Sequence, residues 1–320
     1  MAQTLEILTR RTETMRSIGG IVRTMKTMAV INAHPYEQAA HTITAYRATV
    51  MKGLHAFVQQ HGPLAFESAP AGDHAIVVFG SDHGLCGNYN ETIAALVARH
   101  VADVGADAAR IICVGAQMED ALIGLGLTPQ VTLMSPTTPD GLGRLAGTLV
   151  TQLDMIRRGG GPTSLAVSLA FSERSDHGQQ VPLVQQLLPL DPALTRDLAE
   201  RRWQSRSLPR SRLPPPTLLA ALIRGYLFAS LSRTAAEALV TENAARLVRM
   251  QQAEQSVADR LEELTAETRA VRQEEITTEL LDVIIGFEAM KSREKRQREL
   301  AAETDKATQD AIDHSASGQH

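Results

Sequence analysis

The fold is decided by a long stretch near the C-terminal end, which includes TENAARLVRMQQAEQSVADRLEELTAETRAVRQEEITTELLDVIIGFEAM at residues 241–290. This stretch belongs to a longer segment, residues 217–302, that has no proline and has glycine only at positions 225 and 286. Apolar residues recur along it in steps of three and four, which is the period of one helix face. The sequence therefore predicts a C-terminal helix over residues 217–302.

The apolar stripe of this helix changes face between Val271 and Ile276, where the regular step is broken. A straight helix of this size would be about 125 Å long. A compact chain of 320 residues has a radius of gyration of only about 20 Å. The helix therefore extends beyond any globule that the chain can form, and its stripe requires a partner helix or an enclosing protein.

The first 61 residues carry a second apolar repeat, and they predict the partner helix. Its positions are Met15, Ile18, Val22, Met25, Ala29, Asn32, Tyr36, Ala39, Ile43, Tyr46, Val50, Gly53 and Phe57. Pro35 opposes a straight helix at a cost of about 3 kcal/mol, but each buried apolar side chain contributes about 1.5 to 3 kcal/mol. We therefore expect a kink near Pro35 rather than an end, and an antiparallel coiled coil between the two terminal helices, 1–61 and 217–302.

Between these helices, residues 72–213 change to short apolar runs separated by helix-like stretches. The runs are AIVVFG at 75–80, RIICVG at 110–115, VTLM at 131–134, LAVSLAF at 165–171 and, as an edge strand, VPLVQQLLPL at 181–190. The helix-like stretches are 90–104, 117–124 and 142–156. Alternating strands and helices predict parallel strands joined by right-handed crossovers, a Rossmann-like domain. The predicted fold class is α/β plus coiled coil, with the α/β domain inserted between the terminal helices and a disordered tail at 303–320.

Composition limits the partners that the chain can bind. The formal net charge is −4 and aromatic residues make up 3% of the chain, which argues against a nucleic-acid-binding surface. No apolar run reaches the roughly 18 to 20 residues that span a bilayer, and the first residues lack the order of a secretory signal. We therefore expect a cytoplasmic protein. The two cysteines, Cys86 and Cys113, give neither a disulfide framework nor a four-ligand zinc site, so we expect no metal and no cofactor.

The most motif-like stretch is FGSDHGLCGNYN at residues 79–90, directly after the first predicted strand. Ligands often bind at such turns. The stretch nevertheless lacks both the Gly-Lys-Ser/Thr ending of a phosphate loop and the GxGxxG of a dinucleotide site. We expect a structural turn around Cys86, with Gly84 and Gly87 at positive φ.

An enzyme hypothesis can be built on the same stretch. It makes Cys86 a nucleophile, His83 its base and Asp82 the group that orients the base. Residues this close in sequence rarely adopt such a geometry. The structural turn is therefore favoured over an active site.

Three parts of the chain resemble the gamma-subunit family of F-type ATP synthases, in matching order and spacing. They are LEILTRRTETMRSIGGIVRTMKTMA at 5–29, FGSDHGLCGNYN at 79–90, and, on the C-terminal helix, TENAARLVRM at 241–250 with RQEEITTELLDVIIGFEAM at 272–290. The turn at 79–90 is the most specific match, since it is similar to TSDRGLCGGFN in the family. The resemblance spans residues 5–290.

The resemblance implies a central rotor shaft that couples rotation of an ion-carrying membrane ring to conformational change at the catalytic subunits. The implied partners are three alpha and three beta ATPase subunits, the epsilon subunit and the c-subunit ring, with no nucleic acid. Contact with the membrane is implied only through those partners. It also implies a non-catalytic, peripheral subunit on the cytoplasmic face of the bacterial inner membrane. Divergence from the family pattern raises the hypothesis of a sodium-coupled branch, and the coupling ion stays open.

Matching positions give the residues implied to contact the surrounding subunits. The implied contacts with the beta subunits are Met25, Lys26, Arg272, Gln273, Thr277 and Glu279. The implied bearing, in which the shaft turns, is formed by Ile276, Leu280, Val283, Ile284, Phe287 and Met290. We expect the C-terminal helix to pack on its partner before Val271 and to extend past it from Ile276.

Two features depart from the family pattern. Residues 29–46 contain no lysine or arginine, whereas the family usually has a small basic stretch there. The family normally ends near Met290, but this chain continues with basic residues between Lys291 and Arg298 and then a mixed acidic tail. We hypothesise that this extension biases rotation and suppresses ATP hydrolysis.

Two alternatives remain open from the sequence alone. One is a coiled-coil adaptor with an α/β head that has no connection with ATP, and the other is a small α/β enzyme that uses Cys86. Co-purification with ATPase alpha and beta subunits distinguishes the rotor from the adaptor. Loss of an intrinsic activity on Cys86→Ala would favour the enzyme.

Overall fold

The structure is a computed structural model that describes residues 2–63, 73–105, 108–159, 165–175 and 180–316. It consists of two units. One is formed by Met1–Gly20 and Gln255–His320, and the other by Ile21–Glu254. Both terminal helices contribute residues to each unit.

The N-terminal helix, α1, covers Ala2–His61 and passes through Pro35 without ending. Packing explains why the helix continues, because the adjacent Tyr36 is 5% exposed and its hydroxyl donates a hydrogen bond to the carbonyl oxygen of Pro136 at 2.7 Å. The structural bounds agree with the helix predicted for residues 1–61.

The C-terminal helix, α6, covers Pro215–Ala316 and so extends beyond the predicted end at 302. It includes residues 303–316, for which the sequence indicated disorder. Residues 303–316 contain no proline or glycine and have several alanines, which favour helix. The remaining part of the predicted tail, 317–320, lies outside the described residues.

The middle of the chain forms a five-stranded sheet with the strand order β3-β2-β1-β4-β5. Its elements are β1 (His74–Phe79), α2 (Tyr89–Val104), β2 (Ala109–Val114), α3 (Ala116–Ile123), β3 (Val131–Leu133), α4 (Gly141–Gly159), β4 (Ala166–Arg174), β5 (Gln180–Leu188) and α5 (Pro192–Glu200). The strands β1 to β4 pair in parallel, and β5 pairs antiparallel with β4 at the edge. The predicted Rossmann-like α/β fold with an edge strand is confirmed, and α5 is an addition that the sequence did not predict.

The terminal helices cover one face of this sheet within Ile21–Glu254. Leu54 of α1 and Leu231 of α6 share a core cluster with Leu149 of α4 and with the sheet. On the opposite face, Ile93 of α2 and Met118 of α3 form a second cluster. The central strand β1 is therefore buried on both faces, which explains its uninterrupted apolar run.

The two terminal helices run antiparallel, as predicted. A methyl group added to Gly53 of α1 would lie 2.8 Å from Leu222 of α6. Further along, the rings of Tyr46 and Phe228 lie 6.3 Å apart in an edge-to-face arrangement. Since α1 numbers fall as α6 numbers rise along the contact, the pair is antiparallel.

The unit formed by Met1–Gly20 and Gln255–His320 has a smaller core. Leu8 and Thr12 of α1 are each 7% exposed, and Leu264 of α6 is 2% exposed. Val271 of α6 is still half-buried, whereas all residues 276–298 are exposed. The buried part of α6 thus ends where the sequence pattern changes face. Within the described residues, no helix has both the length and the hydropathy to cross a bilayer.

Candidate functional surfaces

The described chain leaves a large apolar surface uncovered on α6 at residues 276–290, which we call the apolar shaft segment. All six apolar residues predicted for this surface are more than half exposed: Ile276 52%, Leu280 58%, Val283 70%, Ile284 54%, Phe287 64% and Met290 62%. Exposed apolar surfaces of this kind mark interaction sites.

The apolar shaft segment is apolar over more than half of the helix circumference. At 100° per residue, the six predicted residues fall within a sector of about 120°. Leu281 and Ile285, which are 53% and 61% exposed, fall about 120° and 160° from the centre of that sector. The sequence analysis did not name these two residues, although the same helical projection would have found them. Polar residues such as Glu279 and Asp282 occupy the remaining side, so the segment needs apolar partners over most of its surface, which an enclosing channel supplies better than a narrow groove.

The polar residues of α6 that are predicted to contact the beta subunits lie before or within this segment and are all exposed: Arg272, Gln273, Thr277 and Glu279. The Thr277 hydroxyl donates a hydrogen bond to the backbone carbonyl of Gln273 at 2.8 Å, so its proton is used within the helix. Among the described residues, the Arg272 guanidinium has no carboxylate partner. Arg272 and Gln273 are therefore exposed side chains with hydrogen-bond donors just before the apolar shaft segment.

Met25 and Lys26 on α1 are half-buried. The Lys26 ammonium lies 2.5 Å from one carboxylate oxygen of Glu254 on α6, and Arg23 lies 3.4 Å from the other. Hydrogen bonds from Lys26 and then from Arg23 lower the pKa of the Glu254 carboxyl. Lys26 is thus engaged with the partner helix, a role that the sequence did not predict.

The turn at residues 79–90 joins the carboxyl ends of three strands. After β1, the Asp82 carboxylate accepts hydrogen bonds from the backbone N–H of Ala116 at 3.1 Å and of Ser135 at 2.7 Å. Ala116 follows β2 and Ser135 follows β3. Within the turn, the Ser81 N–H donates to the Asn90 amide oxygen at 3.0 Å, and the Asn90 amide donates to the Ser81 hydroxyl at 2.8 Å. These hydrogen bonds fix the turn and join it to the segments that follow β2 and β3.

The backbone of this turn differs from the prediction at one position. Gly87 has a φ of +70° as expected, but the second positive φ, 68°, belongs to Leu85 and not to Gly84. The Gly87 position is also crowded, because a methyl group there would lie 3.2 Å from the Arg249 side chain. Leu85 takes the strained conformation because the bonds of Asp82 and Asn90 fix both sides of the turn.

The turn does not form the geometry that the enzyme hypothesis needs. The Cys86 thiol is buried 3.4 Å from the Ser81 hydroxyl, and burial raises its pKa. The His83 side chain is exposed, and the Asp82 oxygens accept backbone N–H groups. No hydrogen bond joins the side chains of these three described residues. Across the described residues, no cluster of His, Cys, Asp or Glu is arranged to hold a metal ion.

The second recognisable segment of the sequence, residues 241–250, packs against this turn. The Tyr89 hydroxyl donates a hydrogen bond to the Ala238 carbonyl at 3.1 Å and lies 3.2 Å from the Thr241 hydroxyl. Arg246 lies 2.6 Å from the Glu242 carboxylate and 3.3 Å from the His83 carbonyl oxygen. The tertiary structure thus joins two segments that lie far apart in the sequence.

The ion pair between Glu242 and Arg246 is buried, with side chains 7% and 12% exposed. Desolvation raises the pKa of the Glu242 carboxyl, although Arg246 opposes this rise. The i,i+4 spacing of Glu and Arg is typical of a solvated helix face, so the sequence pattern does not indicate this burial.

The similarity to known proteins extends over almost the whole chain. The family model described as ATP synthase matches residues 4–290. The ATP synthase gamma chain of Bacteroides thetaiotaomicron is 28% identical over 301 residues, covering 89% of this chain and 99% of that relative. The ATP synthase gamma chain of Polynucleobacter asymbioticus is 25% identical over 274 residues, covering 81% and 86% of the two chains.

Solved structures share the fold. A chain of the Euglena gracilis mitochondrial ATP synthase, in the structure of its OSCP/F1/c-ring, has a TM-score of 0.62 at 18% identity and covers 91% of this chain and 95% of its own length. A chain from the central stalk and c-ring of the Tetrahymena thermophila mitochondrial ATP synthase has a TM-score of 0.53 at 18% identity, covering 73% and 99%.

Proposed function

The chain belongs to the ATP synthase family as a gamma subunit of the F-type enzyme, and we propose that its apolar shaft segment turns inside a ring of three alpha and three beta subunits. The observation that carries this proposal is that residues 276–290 are exposed and are apolar over more than half of the helix circumference. Because the chain belongs to this family, we set aside the two alternative functions, the coiled-coil adaptor and the enzyme that uses Cys86.

An apolar surface suits rotation because apolar contacts are not directional. A shaft held by many hydrogen bonds would be trapped at one angle, whereas an apolar surface can slide past successive subunits at similar free energy. The polar donors of Arg272 and Gln273 lie just before the segment. We assign them to transient hydrogen bonds with carboxylate-bearing loops of the beta subunits.

The other four residues predicted to contact the beta subunits have more limited roles in this proposal. Met25 is placed against the beta subunits, together with the exposed face of α1 around it. Lys26 stabilises the helix pair through Glu254. Thr277 offers a hydroxyl that only accepts, since its proton is used by Gln273, and Glu279 lies on the exposed helix surface.

The α/β domain is assigned to contacts with the epsilon subunit and the c-subunit ring, of which a c-ring is named with the related Euglena and Tetrahymena assemblies. The subunit is non-catalytic in this proposal, since the turn at residues 79–90 has a structural role: its hydrogen bonds link the ends of three strands. Its location is the cytoplasmic face of the bacterial inner membrane, as a peripheral subunit.

Charge placed on the apolar shaft segment tests the proposal. We expect Val283→Asp with Phe287→Asp to reduce co-purification with alpha and beta subunits and to uncouple ATP hydrolysis from ion pumping, because a desolvated carboxylate would enter an apolar channel. Thr278→Asp is the matched control, since it adds a charge at an exposed polar position of the same helix. Normal assembly and coupled pumping by the double variant would contradict the proposal.

A further inference from the structure

The C-terminal end of β4 is joined to both terminal helices by ion pairs. The Arg174 guanidinium lies 2.7 Å from a carboxylate oxygen of Glu37 on α1 and 3.7 Å from one of Glu237 on α6. The preceding residue of the strand, Glu173, lies 3.3 Å from the guanidinium of Arg233 on α6. We call these five residues the ionic junction. It connects three elements that are far apart in the sequence.

The charges of the ionic junction are arranged reciprocally. Along β4 an acidic residue is followed by a basic one, whereas on α6 Arg233 is followed one turn later by Glu237. If α6 slipped by one turn in either direction, like charges would meet. Glu237 would then lie beside Glu173, or Arg233 beside Arg174. The ion pairs therefore favour a single register between α6 and the strand.

Glu37 lies in the part of α1 that departs from the family pattern. Residues 29–46 contain no lysine or arginine, although the family usually has basic residues there. In this chain β4 supplies the cation, Arg174, and α1 supplies the carboxylate of Glu37. A basic residue at position 37 would face Arg174 and repel it, so the absence of basic residues fits the ionic junction.

Around the ionic junction, the same three elements pack through apolar side chains. Phe171 of β4, Val50 of α1 and Leu231 of α6 belong to one core cluster. Apolar contact resists separation but is not directional, so it resists twisting less than fixed ion pairs do. The five charged side chains are 17% to 42% exposed. Water therefore screens each pair, and the network contributes more than any single pair.

We propose that the ionic junction transmits torque between the α/β domain and the helix pair, because it prevents the two from turning relative to each other. The inference rests on the proposed rotation of the shaft, and it assigns the transmission of torque to five named side chains. None of the five is among the residues predicted to contact other subunits. Changes at the ionic junction should therefore leave those contacts intact.

The test measures torsional stiffness in an assembled complex of alpha, beta and the full chain. The complex is fixed to a surface and rotation is stopped with a non-hydrolysable ATP analogue. A bead on a cysteine introduced at Leu125, an exposed residue of the α/β domain, reports the angular fluctuations. For Arg174→Gln with Arg233→Gln, we expect the variance of the angle at least about to double, because directional contacts are lost while apolar packing remains.

Charge reversal provides a rescue that a loss of folding would not show. Glu173→Arg alone should increase the variance of the angle, since it places a second cation beside Arg233. Glu173→Arg combined with Arg233→Glu should bring the variance back towards that of the wild type, because the pair attracts again with its charges exchanged.

The matched control removes two arginines from ion pairs that lie within single helices. Arg157 pairs with Asp154 in α4, and Arg260 pairs with Glu263 in α6. Arg157→Gln with Arg260→Gln should leave the variance of the angle unchanged. In every variant, the circular dichroism of the chain and the ATP hydrolysis of the complex without an ion gradient should match the wild type.

Three results would overturn the inference: wild-type variance in the junction variant, an equal increase in the control, or no rescue by charge reversal. A wild-type chain that fails to assemble with alpha and beta subunits, or does not rotate, would overturn the proposed function and this inference with it. A rotating wild type with unchanged stiffness in the junction variant would overturn the inference alone.

Discussion

Asp82 links three strands of the sheet at their carboxyl ends. Its carboxylate accepts the N–H groups of Ala116 and Ser135, which follow two other strands. We expect Asp82→Ala to lower the free energy of unfolding by about 1–3 kcal/mol, since it leaves backbone donors without partners. Urea unfolding measures this change. Asp103→Ala, at an exposed carboxylate of α2, is the control and should change stability by less than about 0.5 kcal/mol.

Glu254 gives a pH-dependent prediction at the same scale. Lys26 and Arg23 lower the pKa of its carboxyl in the folded chain. The stabilisation is therefore fully present above the pKa of an unfolded glutamate, about 4.3, and is lost as the pH falls through the lower folded pKa. We expect the wild type to unfold at a higher temperature than Glu254→Gln at neutral pH, with the difference vanishing in acid.

The control for Glu254 uses its partners. In a background with both Arg23→Gln and Lys26→Gln, the substitution Glu254→Gln should no longer change the unfolding temperature at neutral pH. A difference that persists in that background, or that grows in acid, would show that the ion pair is not the source.

Among the elements, α6 extends furthest beyond the family pattern. The family model ends at residue 290, while the helix continues to Ala316. The hypothesis that this extension suppresses hydrolysis predicts that deletion of residues 291–320 raises the ATPase rate of the assembled complex and leaves its subunit composition unchanged. Steady-state ATP hydrolysis and ATP-driven ion pumping, measured on the same preparation, test it. Unchanged rates in both assays would contradict the hypothesis.

The whole molecule carries an apolar surface that it does not cover itself. We expect the isolated full chain to self-associate as its concentration rises, because the apolar shaft segment is exposed. A chain that ends at Glu275 lacks this segment but keeps Leu264 and Val271, and it should remain monomeric. Size-exclusion chromatography with light scattering measures both. A full chain that stays monomeric, or equal self-association of the full and the truncated chain, would show that the chain does not self-associate through residues 276–290.

The α/β domain shows which parts of the fold can be predicted from the sequence. Buried strands such as β1 were predicted from apolar runs, because both of their faces are covered. The helix α5 was missed, because Pro192–Glu200 is short and its apolar repeat, Leu194 and Leu198, covers only one helical turn. Leu85 was missed as the positive-φ residue, because glycine is the usual sign of that conformation and the strain is imposed by tertiary hydrogen bonds.

The sequence by itself determined the two long helices, their antiparallel pairing, the inserted α/β domain and the family, because periodicity and motifs are local properties of the chain. Only the tertiary structure decided that the turn at residues 79–90 packs on residues 241–250, that Glu242 and Arg246 are buried, and that Lys26 is paired with Glu254. The same holds for the surfaces that stay uncovered. Burial and partnership depend on which distant segments meet, and that is a property of the folded chain that no local pattern records.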